Sequence, residues 1–398
     1  MTTEKLADEV KTELTNTIIP FWGKLRDEKF GGYYGFVDFD LHIDKTAPKG
    51  CILNSRILWF FANAYKMLNK PNLLEAATHA FNFMLEHCFD SQNGGVFWSL
   101  DYKGFPLDTT KHTYNQAFAI YALSSYYAIT HDERAIRKAF DLVQIIETKC
   151  RDEIGYCEAF TLDFNPEIND KLSENGIIAE KTMNTFLHVF EGYTELYRVT
   201  KDSNIASYLK RMLDQFVTKI WNPKKQRQEV FFDKNMNSLI DLHSYGHDIE
   251  AAWLLDRGTE ILGDIKYTQL ISPITKALTE KIYNTAYQEH SLLSESENGI
   301  NDNTRVWWVQ AETMVGFMNG YQKSRDQSKY LQAVYDVWEY IKRYIHDSRP
   351  YSEWFWSVNA YGVPKTRQPI VEPWKCPYHN GRMCMEIITR CKALEKEF

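Results

Sequence analysis

The chain alternates between two patterns of hydrophobic and polar positions. Segments with apolar residues three and four positions apart, such as SRILWFFANAYKML from Ser55 and AIRKAFDLVQIIETKC from Ala135, predict amphipathic α-helices. Between them lie shorter stretches that are rich in aromatic residues and bounded by glycine or polar residues, which predict β-hairpins. Roughly two helical segments fit each interval between hairpins.

The hairpin pattern recurs six times. Its copies are GGYYGFVDF from Gly31, GGVFWSLDYKG from Gly94, GYCEAFTLDF from Gly155, QEVFFDKNMNS from Gln228, HSLLSESENG from His290 and SEWFWSVNAYG from Ser352. Successive copies lie about 60 to 75 residues apart, which is too long for common solenoid repeats and suits two helices plus a hairpin. Six hairpins and twelve helices in a closed cycle predict an all-α fold, the (α/α)6 barrel, with short β-hairpins at the active-site face.

The two helices of each repeat differ in polarity. The first helix after a hairpin is the more apolar (57–65 and 117–127), whereas the second carries more charge (133–149 and 201–219). Because a helix that is apolar nearly all round is buried, we expect the first helices to form the inner ring, with their N-termini at the hairpin face. Without a Pro/Gly/Ser-rich linker, the chain is predicted to be a single catalytic domain, 1–398.

The composition of the chain favours a sugar ligand over nucleic acid or a membrane as its binding partner. Hydrophobic residues make up 44% of the chain and aromatics 15%, enough for a large core with rings left over to stack on a sugar. The net charge of -7 and the lack of a basic stripe argue against a nucleic-acid partner. No stretch approaches the roughly 20 apolar residues of a membrane span, so no membrane partner is expected.

The compartment follows from the start of the chain and from its cysteines. The opening residues MTTEKLADEV lack the pattern of a signal peptide, so we expect a cytoplasmic protein. Seven cysteines without CxxC spacing fit reduced thiols better than a disulfide framework or a zinc site.

Polar residues gather at the starts of the predicted inner helices, where they are expected to converge on one central cavity. In chain order they are Arg56; His112, Tyr114 and Asn115; Asn184 and His188; His243, His247 and Glu250; Arg305, Trp307, Trp308 and Glu312; and Trp374, His379, Asn380 and Arg382. Asn184 and His188 are four residues apart, as are Trp308 and Glu312, so each pair shares a helix face.

Histidines dominate this set. His247 lies one helical turn before Glu250, where a carboxylate could orient the imidazole and stabilise its protonated form, as a catalytic base requires. His243 and His247 are four residues apart like two zinc ligands, but the HExxH pattern and a third ligand at standard spacing are lacking. We therefore expect neither a metal nor another cofactor. Adjacent Trp307 and Trp308 differ by about 100° in direction, so one of them faces squarely inward.

Several long segments carry a family resemblance. SRILWFFANAY, TKHTYNQAFAIYALSSYY, KTMNTFLHVFEGYTELY, HSYGHDIEAAWLLD, TRVWWVQAE and PWKCPYHNGRMCMEIITR occur in this order along the chain. They resemble the cellobiose 2-epimerases of the N-acylglucosamine 2-epimerase superfamily over essentially the whole chain. The resemblance implies the (α/α)6 barrel, in agreement with the repeat count.

The resemblance also implies roles for individual residues. His247 and His379 are the expected acid/base pair, His188 the third essential histidine, and Glu250 the partner of His247. The other expected site residues are Arg56 near the sugar oxygens at C1 and C2, Asn184, Trp308 and Glu312 as sugar contacts, Tyr114 and Trp374 at the subsites, and Trp253 and Trp307. For Tyr114, Trp253 and Trp307, packing in the wall is the alternative to direct contact.

The expected reaction is reversible C2 epimerisation of the reducing-end glucose of a β-1,4-linked disaccharide such as cellobiose, lactose or mannobiose, by a monomer. Only a hydrogen next to a carbonyl is acidic enough for a side chain to remove, so the sugar ring must open. Alternatives on the same fold are an N-acylglucosamine 2-epimerase and an aldose-ketose isomerase. An inverting glycoside hydrolase, with Glu250 and Glu312 as acid and base, is the alternative of another class, and a sugar-binding protein without activity is a weaker one.

Overall fold

The helices alternate between an inner and an outer ring. The structure, a computed structural model, describes residues 1–173, 175–324 and 328–396. Within these residues the inner helices are α3 (Cys51–Leu68), α5 (Thr113–Thr130), α7 (Met183–Thr200), α9 (Tyr245–Leu262), α11 (Trp307–Lys323) and α13 (Tyr378–Glu395). The outer helices are α1 (Thr3–Glu13), continued by α2 (Ile19–Lys24), then α4 (Pro71–Phe83), α6 (Glu133–Ile145), α8 (Ser203–Gln215), α10 (Ile265–Thr285) and α12 (Ser328–Tyr340). The (α/α)6 barrel expected from the sequence is confirmed.

Burial separates the two rings as their polarity predicts. In α5 the residues from Thr113 to Tyr126 are all buried. In α6 only one stripe is buried, formed by Ala135, Ile136, Ala139, Leu142 and Val143. This spacing gives one apolar face of a 3.6-residue period, so α6 packs on the inner ring with that face and leaves the other to solvent. The Asp132 side chain caps α6 by accepting from the backbone N–H of Arg134.

Short antiparallel strands join one repeat to the next. They are β1 (Lys49–Gly50), β2 (Ser99–Leu100), β3 (Pro106–Asp108), β4 (Lys111–His112), β5 (Ala159–Phe160), β6 (Lys181–Thr182), β7 (Trp221–Asn222), β8 (Arg227–Gln228), β9 (Phe231–Phe232), β10 (Leu242–Ser244), β11 (Tyr287–Gln288), β12 (Ser291–Leu292), β13 (Glu295–Glu297), β14 (Ile300–Asp302), β15 (Arg305–Val306) and β16 (Ser357–Val358). Strands β1, β4, β6, β10 and β15 each precede an inner helix and pair with β2, β5, β9, β13 and β16 of the following repeat.

The same pairing closes the ring. Val371, shortly before α13, forms an antiparallel bridge with Val37 of the first repeat. The predicted hairpins are therefore not independent units. One part of each pairs with the end of the preceding outer helix, as in the Phe89–Val96 bridge, and the next part pairs with the preceding repeat.

Buried polar side chains fasten the hairpins to the inner helices. The Asn54 side-chain oxygen accepts from the backbone N–H of Tyr33 at 3.1 Å, and that of Gln116 accepts from Val96 at 2.7 Å. Gln310 repeats the contact with Leu292 at 2.9 Å. These bonds satisfy buried backbone groups and hold the hairpins over the N-termini of the inner ring. None of the helices in the described ranges is both long and apolar enough to cross a lipid bilayer.

Candidate active site

A cavity of about 310 Å3 lies where the N-termini of the inner helices meet the hairpins. Its lining includes most residues expected from the sequence, which are Arg56, Tyr114, Asn184, His188, His247, Glu250, Trp307, Trp308, Trp374 and His379. Lys171, Leu172, Ser244, Ser294, Glu295, Val306 and Trp356 complete the wall. The inner ring thus brings together three histidines that are far apart in sequence.

Two expected sugar contacts lie behind this wall. Trp253 and Glu312 are both 0% exposed and do not line the cavity. The Trp253 indole N–H donates to Glu312 Oε2 at 2.9 Å, and Glu312 Oε1 lies 2.7 Å from His379 Nδ1. Trp253 thus has the packing role that was the alternative to sugar contact, and Glu312 contacts His379 instead of the cavity in this structure. They hold His379 in place from behind.

His247 has a different partner from the one expected. Its Nδ1 shares a 2.7 Å hydrogen bond with the Ser244 hydroxyl, whereas Glu250 Oε1 accepts from Arg382. Side chains on a helix point towards its N-terminus, so His247 in the first turn of α9 meets residue 244 rather than residue 250. The predicted His247–Glu250 pair is therefore wrong. The His247 ring also packs on Trp308, with 4.8 Å between ring centroids.

Carboxylates support the other two histidines. Glu191 Oε2 lies 2.9 Å from His188 Nδ1 and accepts from the Tyr378 hydroxyl at 2.6 Å. Burial alone would raise the pKa of Glu191, but Arg382 and the bonds from His188 and Tyr378 lower it to about 2. With a carboxylate on Nδ1, His188 and His379 keep Nε2 free for a substrate.

Arg382 forms hydrogen bonds to three buried carboxylates. Its guanidinium bonds to Glu191 and Glu250, and to Glu312 at 2.7 Å. Glu250 Oε2 is buried and has no hydrogen-bond partner among the described residues. Burial, followed by the charge of Glu312, raises the pKa of Glu250 well above its usual value. Burial also raises the pKa of Glu312, against the effect of Arg382.

The imidazoles are neutral at pH 7. Burial lowers the pKa of His247 to about 3, with a further contribution from the charges of His188 and His379. Burial and the charge of Arg382 lower the pKa of His379, and burial lowers that of His188 against the effect of Glu191. A neutral imidazole can accept a proton, so each of the three can act as a base.

Arg56 supplies a positive charge to the cavity. It is 2% exposed, and its Nη2 donates to the Tyr114 hydroxyl at 2.7 Å. Its Nη1 lies 3.5 Å from the backbone oxygen of Trp374, and its Nε has no partner among the described residues. The guanidinium therefore brings a buried positive charge to the cavity wall.

Other polar residues at the helix starts serve the hairpins instead of the cavity. Asn115 donates to the Phe97 backbone oxygen at 2.7 Å, Asn380 to Glu353 at 3.0 Å, and Arg305 to Ser291 at 3.0 Å. The His112 ring packs on Trp98, and His243 Nε2 lies 2.8 Å from Asp248. The expectation that all these residues converge on one cavity is wrong for these five.

The model of the N-acylglucosamine 2-epimerase family matches residues 31–380. The chain belongs to the N-acylglucosamine 2-epimerase family. The cellobiose 2-epimerase of Ruminococcus albus is 48% identical over 385 residues, which cover 97% of this chain and 99% of that relative. The crystal structure of a sugar epimerase from a ruminal bacterium has a TM-score of 0.95 at 47% identity, covering 97% of this chain and 99% of that one. The cellobiose 2-epimerase of Bacillus thermoamylovorans has a TM-score of 0.93 at 45% identity, covering 97% and 100%. The family resemblance is confirmed.

Some site residues of this member of the N-acylglucosamine 2-epimerase family were not predicted. Ser244 forms a hydrogen bond with His247, Glu191 forms one with His188, and the Tyr378 hydroxyl donates to Glu191. His188 and Glu191 lie three residues apart on α7, the same spacing that led to the predicted His247–Glu250 pair. Trp356 and Glu295 reach the cavity from the hairpins, where helical spacing gives no information.

A cluster of possible metal ligands also lies at this family member's site. Ligand atoms of Glu250, Glu312 and His379 lie within 4.8 Å of one another. Arg382 bonds to both carboxylates. The positive charge between these acids is therefore supplied by the protein's own guanidinium.

Proposed function

We propose that the protein is a cellobiose 2-epimerase, which inverts C2 of the reducing-end glucose of β-1,4-linked disaccharides. Cellobiose would give glucosyl-mannose, and lactose would give epilactose. The observation that carries this proposal is the meeting of His188, His247 and His379 with Arg56 in one cavity. The 48% identity to the cellobiose 2-epimerase of Ruminococcus albus supports the choice of a disaccharide.

The first chemical step opens the sugar ring. His379 takes the proton from O1 and returns one to O5 as the C1–O5 bond breaks, which leaves a free aldehyde at C1. Glu312, behind His379, stabilises the imidazolium that forms in between. A hydrogen at C2 is now next to a carbonyl and can be removed.

The second step exchanges the C2 proton. His247 takes it, and the electron pair of the C–H bond forms the C1=C2 bond of a cis-enediolate with negative charge on O1. Arg56 stabilises that charge, as do the positive ends of the inner helices. Rotation about C2–C3 presents the other face, a histidine returns the proton, and the ring closes.

The hydrogen bond from Ser244 allows His247 both to accept and to donate a proton. A hydroxyl can accept from Nδ1–H or donate to Nδ1, so either neutral tautomer of His247 keeps its 2.7 Å bond. Burial and the charge of Glu312 raise the pKa of Glu250 well above its usual value. Among the described residues Glu250 accepts from Arg382, whereas Glu312 accepts from Arg382, Trp253 and His379.

The site disfavours a glycoside hydrolase. An inverting enzyme needs carboxyl groups about 6.5–9.5 Å apart with the sugar between them. Oxygens of Glu250 and Glu312 lie within 4.8 Å of each other, and both carboxylates bond to Arg382. Glu312 is fully buried behind the wall, so these two residues cannot flank a glycosidic bond.

Cellobiose in deuterated water tests the reaction. The wild type should form glucosyl-mannose of unchanged size with deuterium at C2, seen by NMR, while release of glucose would show a hydrolase. His247→Ala should abolish deuterium uptake and leave cellobiose binding within a few-fold, and retained exchange would contradict the role of His247. Lactose, mannobiose, N-acetylglucosamine and mannose assayed in parallel separate the disaccharide epimerase from the monosaccharide alternatives.

We also propose that the enzyme works as a cytoplasmic monomer on a free disaccharide. Seven free cysteines and the absence of a membrane-spanning helix among the described residues support this setting. The net charge of -7 makes nucleic acid a poor partner. Sedimentation analysis that gives a mass of about twice 46.8 kDa would contradict the monomer.

A further inference from the structure

A second cavity of about 610 Å3 lies at the opposite end of the inner ring. We call it the lower chamber and define it by Trp59, Lys66, Tyr121, Glu195, Arg257 and Lys392. Lys66 and Lys392 belong to the last turns of α3 and α13, whereas the catalytic cavity lies at the first turns. A volume of this size falls in the range of small-molecule sites.

One layer of side chains separates the two cavities. Arg382 lines the lower chamber and bonds to Glu250, which lines the catalytic cavity. The Tyr378 ring contacts Trp59 and Tyr121, with centroids 5.5 and 6.2 Å away, while its hydroxyl donates to Glu191. The lower chamber is thus distinct from the catalytic cavity but shares a wall with it.

The charge of the lower chamber is positive in a chain of net charge -7. Its carboxylates are already paired, Glu195 with Arg198 at 2.7 Å and Glu386 with Arg257 at 2.7 Å. Lys66 lines the chamber and has no acidic partner within 4 Å among the described residues. The same holds for two neighbouring lysines of the lining, Lys392 and Lys396.

These lysines also offset the negative ends of the inner helices, which is a structural role. Burial of part of the side chain and the charge of Arg198 lower the pKa of Lys66, against the effects of Glu195 and Glu386, and the side chain remains exposed at the edge of the chamber. An ammonium group that is destabilised by neighbouring cations gains from an anion.

An unpaired hydroxyl lies in the same chamber. The Tyr121 side chain is 4% exposed, and its hydroxyl has no hydrogen-bond partner among the described residues. Burial raises the pKa of Tyr121 well above its usual value, so the hydroxyl keeps its proton and can donate it. The Tyr121 ring stacks on Trp59 with 5.3 Å between the centroids, and neither side chain is more than 5% exposed, so the two rings close the inner end of the chamber beside the Tyr121 hydroxyl.

We propose that the lower chamber binds a small phosphate monoester of a sugar. The phosphate would lie between Lys66 and Lys392, the Tyr121 hydroxyl would bond to a sugar oxygen, and the ring would lie beside Trp59 and Tyr121. This site is separate from the disaccharide site and does not depend on the proposed epimerase activity.

Calorimetric titration of the full chain with glucose 6-phosphate tests this proposal, after equilibration with saturating cellobiose to fill the catalytic cavity. We expect one molecule bound per chain, with glucose binding at least tenfold more weakly because it lacks the charge-assisted bonds. Lys66→Met should weaken binding about tenfold and Tyr121→Phe several-fold. The matched control Lys70→Met, an exposed site just before α4, should bind as the wild type does.

Several results would overturn the proposal. They are no binding of glucose 6-phosphate, displacement of it by cellobiose, equal binding of glucose, or the same loss in Lys70→Met as in Lys66→Met. Inorganic phosphate that binds as tightly as the ester would remove the sugar from the proposal. Circular dichroism and thermal unfolding identify variants that fail to fold, and Tyr121→Phe then provides the test because it removes only one oxygen.

Discussion

The hydrogen-bond partner of each imidazole decides how it can carry a proton. Glu191 and Glu312 hold Nδ1 of His188 and His379, which favours the Nδ1–H tautomer and stabilises an imidazolium. Ser244 holds His247 without adding charge. This difference supports the proposed roles, in which His247 exchanges the C2 proton in both directions and His379 acts as the base for ring opening.

Glu312→Gln tests whether the Glu312 carboxylate supports His379 as a base. The amide keeps the size of the side chain but removes the negative charge beside Nδ1, so we expect kcat to fall by about 10²-fold or more with KM changed little. Steady-state kinetics with cellobiose measures both constants. Glu75→Gln on the exposed side of α4 is the matched control, and an equal loss in both variants would contradict the role of Glu312.

The low pKa of His247 predicts how the enzyme responds to acid. The pKa is about 3 in the folded chain and about 6.5 in the unfolded chain, so unfolding takes up a proton below pH 6.5. Its contribution to stability is complete above pH 6.5 and is lost progressively as the pH falls towards 3. Urea unfolding between pH 7 and 4.5 should therefore depend less on pH in His247→Asn than in the wild type, and an unchanged dependence would contradict the low pKa.

At the scale of elements, the close approach of α9 and α11 places the aromatic wall. Gly246 in the first turn of α9 faces Trp308 in the first turn of α11, and a Cβ at Gly246 would lie 2.5 Å from the Trp308 ring. The ring packs on His247 and His379, with centroids 4.8 and 5.3 Å away. The missing side chain thus allows Trp308 to lie against both histidines.

Gly246→Ala should displace Trp308 and raise KM for cellobiose several-fold, with a loss of kcat because the two imidazoles shift with the ring. Tryptophan fluorescence and steady-state kinetics report these changes. Gly23→Ala in α2 is the control, since a Cβ there meets nothing within 4 Å, and alanine favours a helix over glycine by about 1 kcal/mol. Unaltered kinetics in Gly246→Ala would show that Trp308 does not contact the sugar.

At the scale of the whole molecule, the first helix completes the ring. α1 packs on α13, and Glu13 accepts from the Trp354 indole N–H at 2.8 Å and lies 3.1 Å from His346 Nδ1. Glu9 accepts from the Trp338 indole N–H at 2.8 Å. These bonds join the first element to the last repeats and support the Val37–Val371 bridge at the hairpin face.

Glu13→Ala should leave the fully buried Trp354 indole without its acceptor and lower the free energy of unfolding by about 1–3 kcal/mol. Urea unfolding measures this change. Glu4→Ala, on the exposed side of the same helix, should change it by less than about 0.5 kcal/mol. Equal stability of both variants would show that the ring does not depend on this contact.

The sequence predicted the fold and most of the cavity wall because both depend on local periodicity. Apolar spacing distinguishes inner from outer helices, and the first turns of the inner helices are brought together once the ring closes. Hence Arg56, His188, His247 and His379 could be expected in one cavity. Trp253 and Glu312 were placed on the correct helices, but spacing along a helix does not tell how deeply a side chain is buried.

Which groups pair across the ring was decided by the tertiary structure. Glu312 meets His379 across 67 residues, and Arg382 meets Glu191 across 191. Helical spacing predicted that Glu250 pairs with His247, but in the structure Glu250 accepts from Arg382 of α13. The sequence by itself determined the periodicity, the repeats and the residue types at each helix start, because these are local properties. Partners, burial and protonation were decided by the closed ring, because they depend on charges that only the fold brings within hydrogen-bond distance.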